Sequence, residues 1–234
     1  MMVRIESLAE GAERARGDVV IIDVFRAFTT AAVAFAGGAD QIIMVESVDE
    51  AIDLRARGIG HMCMGEVGGR RPPDFDFGNS PHEVSLADVS GRTIIQRTSA
   101  GTLGITRARS ASQIFAGALV TASATARVIG ERGQDQVTLV AMGLNAQERA
   151  DEDEICAIHL RNLIAGRLGD AAAVRALIMA GPRTEHFHDP ARTHLHPQDL
   201  EIALDIDRFD FAIEVKSHEN GLVARAVRAR GAVA

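Results

Sequence analysis

The chain contains no tryptophan and no tyrosine, so nine phenylalanines are its only large aromatics. Stacking platforms for nucleobases would have to be built from Phe alone. There are two cysteines, Cys63 and Cys156, far apart and without metal-ligand spacing. A disulfide framework is not expected, which fits a reducing cytoplasm. No run approaches the roughly 18 consecutive apolar residues of a membrane span. The opening "MMVRIESLAEGAERARG" places charges every few residues and lacks the apolar centre of a secretory signal. Positive charge is in deficit: 25 Lys and Arg against 32 Asp and Glu leave a net charge of −7, spread along the chain. That argues against nucleic acid, whose phosphates need clustered basic residues. These absences predict a soluble cytoplasmic protein with neither a membrane nor a nucleic-acid partner. They leave a homo-oligomer open.

What is present is an ordinary globular composition, 47% apolar and 24% charged over 234 residues, enough for a sizeable core. Short apolar runs alternate with helical patterns. Strands are expected at 18–24, 41–46, 61–66, 92–98, 113–119 and 136–142. Helices are expected at 26–38, 47–58, from Ala100, at 123–132, 152–167 and 171–182. Ser47 with Glu50 reads as a capping box and Gly58 as a stop. Such βα alternation predicts a three-layer α/β fold, its sheet largely parallel or mixed, with helices on both faces. A single domain over 1–234 is the simplest organisation. Residues 183–234 look irregular, apart from a late strand at 210–215 that forms a hairpin with 221–227.

Ligands of open α/β sheets bind at the carboxyl ends of the strands. Four sequence-distant clusters fall there. They are Asp23 with Arg26, Thr29 and Thr30; Glu66 with the loop "GEVGGRRPPDFDFGNSP" (65–81); Arg97 to Thr102, "RTSAGT"; and "DEDE" (151–154). Asp23, Glu66, Asp74, Asp76, Glu152 and Asp153 would meet there, with Arg26, Arg70, Arg71 and Arg97 between them. Acids without cysteine suit a hard cation such as Mg²⁺. Arginines beside them suit a phosphate, sulfonate or carboxylate. The glycine, hydroxyls and free N–H groups of a helix-opening "TSAGT" also suit an anion. The leading chemistry is metal-assisted phosphoryl transfer to water.

Each cluster also has a structural reading. Asp23 suits a turn or helix cap. The acids of 151–154 suit the positive end of a helix dipole. Thr98 or Ser99 suits an N-cap. Only a shared binding edge requires all four clusters together.

The same stretches resemble the 2-phosphosulfolactate phosphatases, Mg²⁺-dependent enzymes of coenzyme M biosynthesis. The resemblance rests on "IIDVFRAFTT" (21–30), "GEVGGRRPPDFDFGNSP", "RTSAGT" and "EDEICA" (152–157), in order, with a looser match at "ALDIDRFDFAIEV" (203–215). It implies an α/β fold and metal-dependent hydrolysis of a phosphate monoester on a small anionic hydroxy acid, giving sulfolactate and phosphate. By position it picks out Asp23, Arg26, Thr29, Thr30, Glu66, Gly69 and Asp76. Further on it picks out Gly78, Asn79, Ser80, Thr98, Gly101, Thr102, Glu152 and Asp153. The expected metal ligands are Asp23, Glu66, Glu152 and Asp153, holding Mg²⁺. Asp23, Arg26, Glu66 and Asp76 are the expected catalytic residues. Thr29, Thr30, Asn79, Ser80, Arg97, Thr98, Ser99, Gly101 and Thr102 are the expected substrate contacts. Departures from the family pattern fall at Phe28, Arg97 and Ala100, which puts the substrate's identity in question. Cys156, in a helix opened by four acids, reads as core.

Two other readings belong to different classes. "EHFHDPARTHLH" (185–196) holds two His-x-His pairs that would suit Zn²⁺, although mobile surface histidines or a substrate-covering loop explain it better. A non-catalytic anion-binding protein would keep the fold without turnover.

Overall fold

The computed structural model describes residues 1–230. Among them, nine strands share one sheet: β1 (Met2–Ser7), β2 (Gly17–Ile22), β3 (Gln41–Val45), β4 (Met62–Gly65), β5 (Thr93–Arg97), β6 (Ala111–Gly117), β7 (Gln136–Ala141), β8 (Ala212–His218) and β9 (Gly221–Val227). The α-helices are α1 (Leu8–Arg14), α2 (Ala27–Ala36), α3 (Val48–Ala56), α4 (Pro81–Ser85), α5 (Gly101–Arg107), α6 (Ala122–Arg132), α7 (Asp151–Ile164), α8 (Ala171–Met179) and α9 (Pro197–Ala203). The order across the sheet is β1-β7-β2-β6-β8-β9-β3-β5-β4. The expected three-layer α/β architecture is present. No helix is long and apolar enough to cross a membrane among these residues.

The expected C-terminal hairpin forms, but not as an appendage. β8 runs antiparallel to β6, and β9 antiparallel to β3. The hairpin therefore joins two parallel groups, β1-β7-β2-β6 and β3-β5-β4. Its side chains Ala212, Ile213, Val215, Val223 and Ala224 are buried because strands flank it on both sides. β1 and α1, not expected from the sequence, add an edge strand to β7.

The sheet curls. In a flat sheet β2 and β5, with four strands between them, would lie about 24 Å apart at ~4.8 Å per strand. Instead Gln96 Nε2, on β5, donates to Ala27 O, just past β2, at 2.9 Å. The hollow of the curl holds α2, whose residues Ala27 to Phe35 are all buried. A helix enclosed on every side must be apolar all round. Its alanines also let strands from both groups pack close: Ile21, Met44, Met64, Ile94 and Ile213 share its core. Alternate β2 residues face the other way, so Val20 and Ile22 pack under α6 to α9 with Phe115 and Leu139. On the same outer side α3 covers Ile43, Ile95 and Cys63. The curl carries the exits of β2, β4, β5 and β7 to one rim.

Candidate active site

Asp23 leaves β2 at this rim. Its Oδ1 accepts a hydrogen bond from Ala27 N at 3.0 Å, capping the first turn of α2. The cap expected from sequence is therefore real, and it is also how the carboxylate is fixed. Asp153, in the first turn of α7, accepts from Val24 N and from Gly143 N, both at 2.8 Å. It ties the exit of β2 to the exit of β7. Burial, with Glu66 and Glu152 nearby, pushes Asp23 from its ordinary 3.8 up to about 7. Burial, Asp23 and Glu152 push Asp153 well above the carboxylate range. Burial also raises Glu152, against the pull of Arg183, whose Nε lies 3.4 Å from its Oε1. Of these three buried acids only Glu152 has a salt-bridge partner among the described residues. Their mutual repulsion is what an added cation would relieve.

Glu66 is anchored differently. Oε1 accepts from Ser99 N at 2.6 Å, while Oε2 accepts from Gly69 N at 2.6 Å and from Ser99 Oγ at 3.1 Å. Gly65 makes this possible. Its φ is +140°, and a Cβ there would lie 1.8 Å from Arg97 O. Only glycine lets the chain turn Glu66 over the end of β5. Arg97 braces the same turn from outside, donating to Glu66 O at 2.6 Å and to Glu46 O at 3.2 Å.

A cavity of about 550 Å³ opens above these groups. Asp23, Glu66, Ser99, Ala100 and Gly143 line it together with Arg26, Arg149, Arg183, Arg192, His186 and His194. Its size suits a small ligand. Phe25 and Phe187, their rings 5.1 Å apart edge to face, supply apolar lining. Part of the His-rich segment thus borders the cavity. His188 and His196 are exposed, and His196 stacks on His82 at 4.4 Å. Burial, then Arg26, Arg70 and Arg192, lower His194, favouring its neutral form.

Several expected contacts shape the backbone rather than face the cavity. Thr29 Oγ1 donates to Val24 O and Thr30 Oγ1 to Arg26 O, each at 2.8 Å. Thr98 and Thr102 bond each other: Thr102 N donates to Thr98 Oγ1 at 3.0 Å, and Thr98 N to Thr102 Oγ1 at 2.8 Å. Gly101 lies against Asp23, where a Cβ would stand 3.0 Å from Oδ2. Asn79 does line the cavity. Asp76 is not brought to the cavity. The return leg of its loop pairs back onto β4, and its carboxylate accepts from Cys63 N at 2.8 Å and from Arg55 at 3.1 Å. Asp74, Arg70 and Arg71 are exposed, and Arg71 pairs with Glu83 at 3.1 Å. Phe28 is buried in the core.

Sequence reasoning missed four residues. Arg149 and Arg183 line the cavity from segments without a recognisable motif, and Arg192 from the His-rich stretch 185–196, whose histidines and not its arginine carried the pattern. Asp199, fully buried on α9, receives Arg26 Nη1 at 2.6 Å. Only Pro197 opening a short helix hinted that this segment is ordered.

The donors available suit a hard divalent cation in part. Among the described residues, no three His, Cys, Asp or Glu side chains are grouped so as to hold an ion by themselves. Magnesium often takes only one or two carboxylates, with waters and substrate phosphate oxygens filling its other positions. Asp23 lines the cavity, and Glu152 acts on Asp23 as a like charge without lining the cavity itself. Both oxygens of Glu66 and of Asp153 are already engaged by N–H or O–H donors.

A family model described as 2-phosphosulpholactate phosphatase matches residues 5–218. The chain belongs to this family. It is 34% identical to a protein of Carboxydothermus hydrogenoformans named "Probable 2-phosphosulfolactate phosphatase", over 90% of this chain and 91% of that one. Proteins bearing the same name in Thermoplasma acidophilum and Bacillus subtilis are 31% and 27% identical. Those matches span 83% and 84% of this chain, and 84% and 86% of the relatives. The resemblance carried by the four motif blocks is thereby borne out, and it extends to the end of β8 at residue 218. The family is one of phosphatases, and the chain is an enzyme of that class.

Proposed function

We propose that the chain hydrolyses 2-phosphosulfolactate or a closely similar phosphorylated hydroxy acid, with Mg²⁺, at the cavity beside Asp23. The observation that carries this is the pairing of two opposite fields in one small space. A buried acid cluster of Asp23, Glu152 and Asp153 adjoins a cavity lined by Arg26, Arg149, Arg183 and Arg192. A substrate with a phosphate at one end and a second anionic group at the other matches that division. The relatives' printed name points to the same substrate.

Asp23 and Glu152 would hold the cation, with Glu66 fixing the loop beside them. When bound, Mg²⁺ supplies positive charge for a phosphate oxygen and acidifies water. Arg26, which lines the cavity together with Asp23, would bind the phosphate. Arg149, Arg183 and Arg192 would receive the sulfonate or carboxylate. Water attacks phosphorus and gives its proton to a carboxylate of the cluster. The ester P–O bond breaks, its electron pair leaves on the hydroxyl oxygen of the acid, and that oxygen takes a proton from water. Phe25 and Phe187 limit solvent over the site. Cys156, buried and with its thiol pushed well up, has no nucleophilic part.

The test is phosphate release from 2-phosphosulfolactate, 2-phospholactate and 2-phosphoglycerate, each with Mg²⁺ and with EDTA. Release from the sulfonate substrate with Mg²⁺, abolished by EDTA, is expected. No release from any of the three would end this reading.

A further inference from the structure

We infer that Asp199 is the positioning residue for Arg26, and that through it α9 sets the anion-binding geometry of the cavity. This rests on the phosphatase reading above and adds a residue to it.

Arg26 and Asp199 are 173 positions apart, and both are buried, at 4% and 0% exposure. Their 2.6 Å contact joins Arg26 Nη1 to Asp199 Oδ2. Among the described residues the Arg26 guanidinium makes no other protein hydrogen bond, so its remaining N–H groups are free for a ligand. Arg26 lines the cavity. An unheld guanidinium on a flexible stem would sample many orientations. A fork-shaped donor recognises phosphate only when its plane is fixed.

Asp199 is itself held at every side. Oδ2 also accepts from His196 N at 3.2 Å. Oδ1 accepts from Ser80 Oγ at 2.6 Å and from His82 N at 3.1 Å. The carboxylate therefore joins three segments: the start of α2 through Arg26, the "GNSP" end of the signature loop through Ser80 and His82, and its own helix. This accounts for Ser80, whose hydroxyl is turned to Asp199 rather than to the cavity. A buried carboxylate with four donors is a rigid reference point. It holds the guanidinium at Nη1 and leaves the other N–H groups to substrate.

A merely structural ion pair predicts something different from a positioning one, and a double-mutant cycle separates them. In the full-length protein, kcat and KM for 2-phosphosulfolactate with Mg²⁺ are measured for Asp199→Asn, Arg26→Ala and the double variant. Affinity for inorganic phosphate is measured by calorimetry in the same set. Asp199→Asn is expected to lower kcat/KM on the order of 10²-fold, the scale of a misplacement of about 1 Å, and to weaken phosphate binding. In the Arg26→Ala background the same change should add less than about threefold, because its effect passes through Arg26. Equal losses in both backgrounds, or no loss in a folded Asp199→Asn protein, would overturn the inference. Ser80→Ala removes one support without stranding a charge, and serves if Asp199→Asn does not fold. It should give a smaller loss that likewise vanishes in the Arg26→Ala background, and an additive loss overturns the inference equally. If Asp23→Asn abolishes hydrolysis while Arg26→Ala leaves it intact, the positioning role fails and the phosphatase reading stands. If the wild type releases no phosphate, that reading fails, and phosphate affinity still decides whether Asp199 acts through Arg26.

Discussion

Asp23 shows how one side chain serves both architecture and chemistry. As a cap for α2 it needs only an acceptor oxygen, which asparagine also provides. As a charge among Glu66, Glu152 and Asp153 it is costly to bury. Asp23→Asn should therefore separate the two roles. Hydrolysis is expected to fall on the order of 10³-fold or more. The chelated protein at pH 8 should melt higher, by ~2–4 °C for each ~1 kcal/mol of repulsion relieved. Steady-state assay and calorimetry check the two halves, and a lower melting temperature would contradict the electrostatic account. Gly65 tests the opposite case, a residue with no functional group. Gly65→Ala places a Cβ 1.8 Å from Arg97 O at a φ of +140°. Denaturation should show a loss of at least about 2 kcal/mol, and activity should fall with the displacement of Glu66.

At the scale of elements, the regular units were read well wherever local chemistry determines them. Ser47 Oγ accepts from Glu50 N at 3.1 Å at the start of α3, and Glu50 reaches back to Glu46 N. The expected cap is thus present, with its return bond one residue earlier than the usual form. Ser47→Ala should cost about 1 kcal/mol without changing kcat/KM, since α3 lies on the outer face away from the cavity. Urea melts and the phosphatase assay measure both, and a changed kcat/KM would mean that α3 influences the site. The hairpin expected at 210–215 and 221–227 forms, but local pattern did not give its place in the sheet. β8 and β9, seven residues each and partly charged, become central elements only through their position between β6 and β3. Asp76 was misplaced by the same logic: proximity in sequence to Glu66 said nothing about a loop that folds back on β4.

For the whole molecule, the acid cluster makes stability depend on pH and on cation. Asp23 has a folded pKa of about 7 against an ordinary 3.8. A raised acid pKa contributes stability that is fully present below the unfolded value and is lost as pH rises through the folded one. Asp153 and Glu152 shift in the same direction. In EDTA the melting temperature should therefore fall between about pH 4 and pH 7, apart from the ordinary acid limit. Millimolar Mg²⁺ should remove most of that fall, because a ligand that binds only the native state stabilises it. Melting curves at pH 5 and pH 8, with and without Mg²⁺, decide this, and curves that coincide would sink it.

The sequence alone determined what depends on neighbours along the chain: the alternation of strands and helices, the caps, and the four motif blocks that name the family. It also placed Asp23, Glu66, Glu152 and Asp153 at strand exits or helix starts, because those positions follow from local pattern. Tertiary structure decided which exits meet. The curl of the sheet around α2 brings β5 to β2 across four strands, and no local signal encodes a curvature set by packing an all-buried helix. Thr29, Thr30, Thr98 and Thr102 support the backbone through bonds only four or five residues long, a local role that their motif blocks did not distinguish from a ligand contact. The cavity's arginines and Asp199 come from segments whose relation to Arg26 exists only once the chain has folded. Hydrogen bonds across 173 residues depend on topology, and topology depends on the whole core.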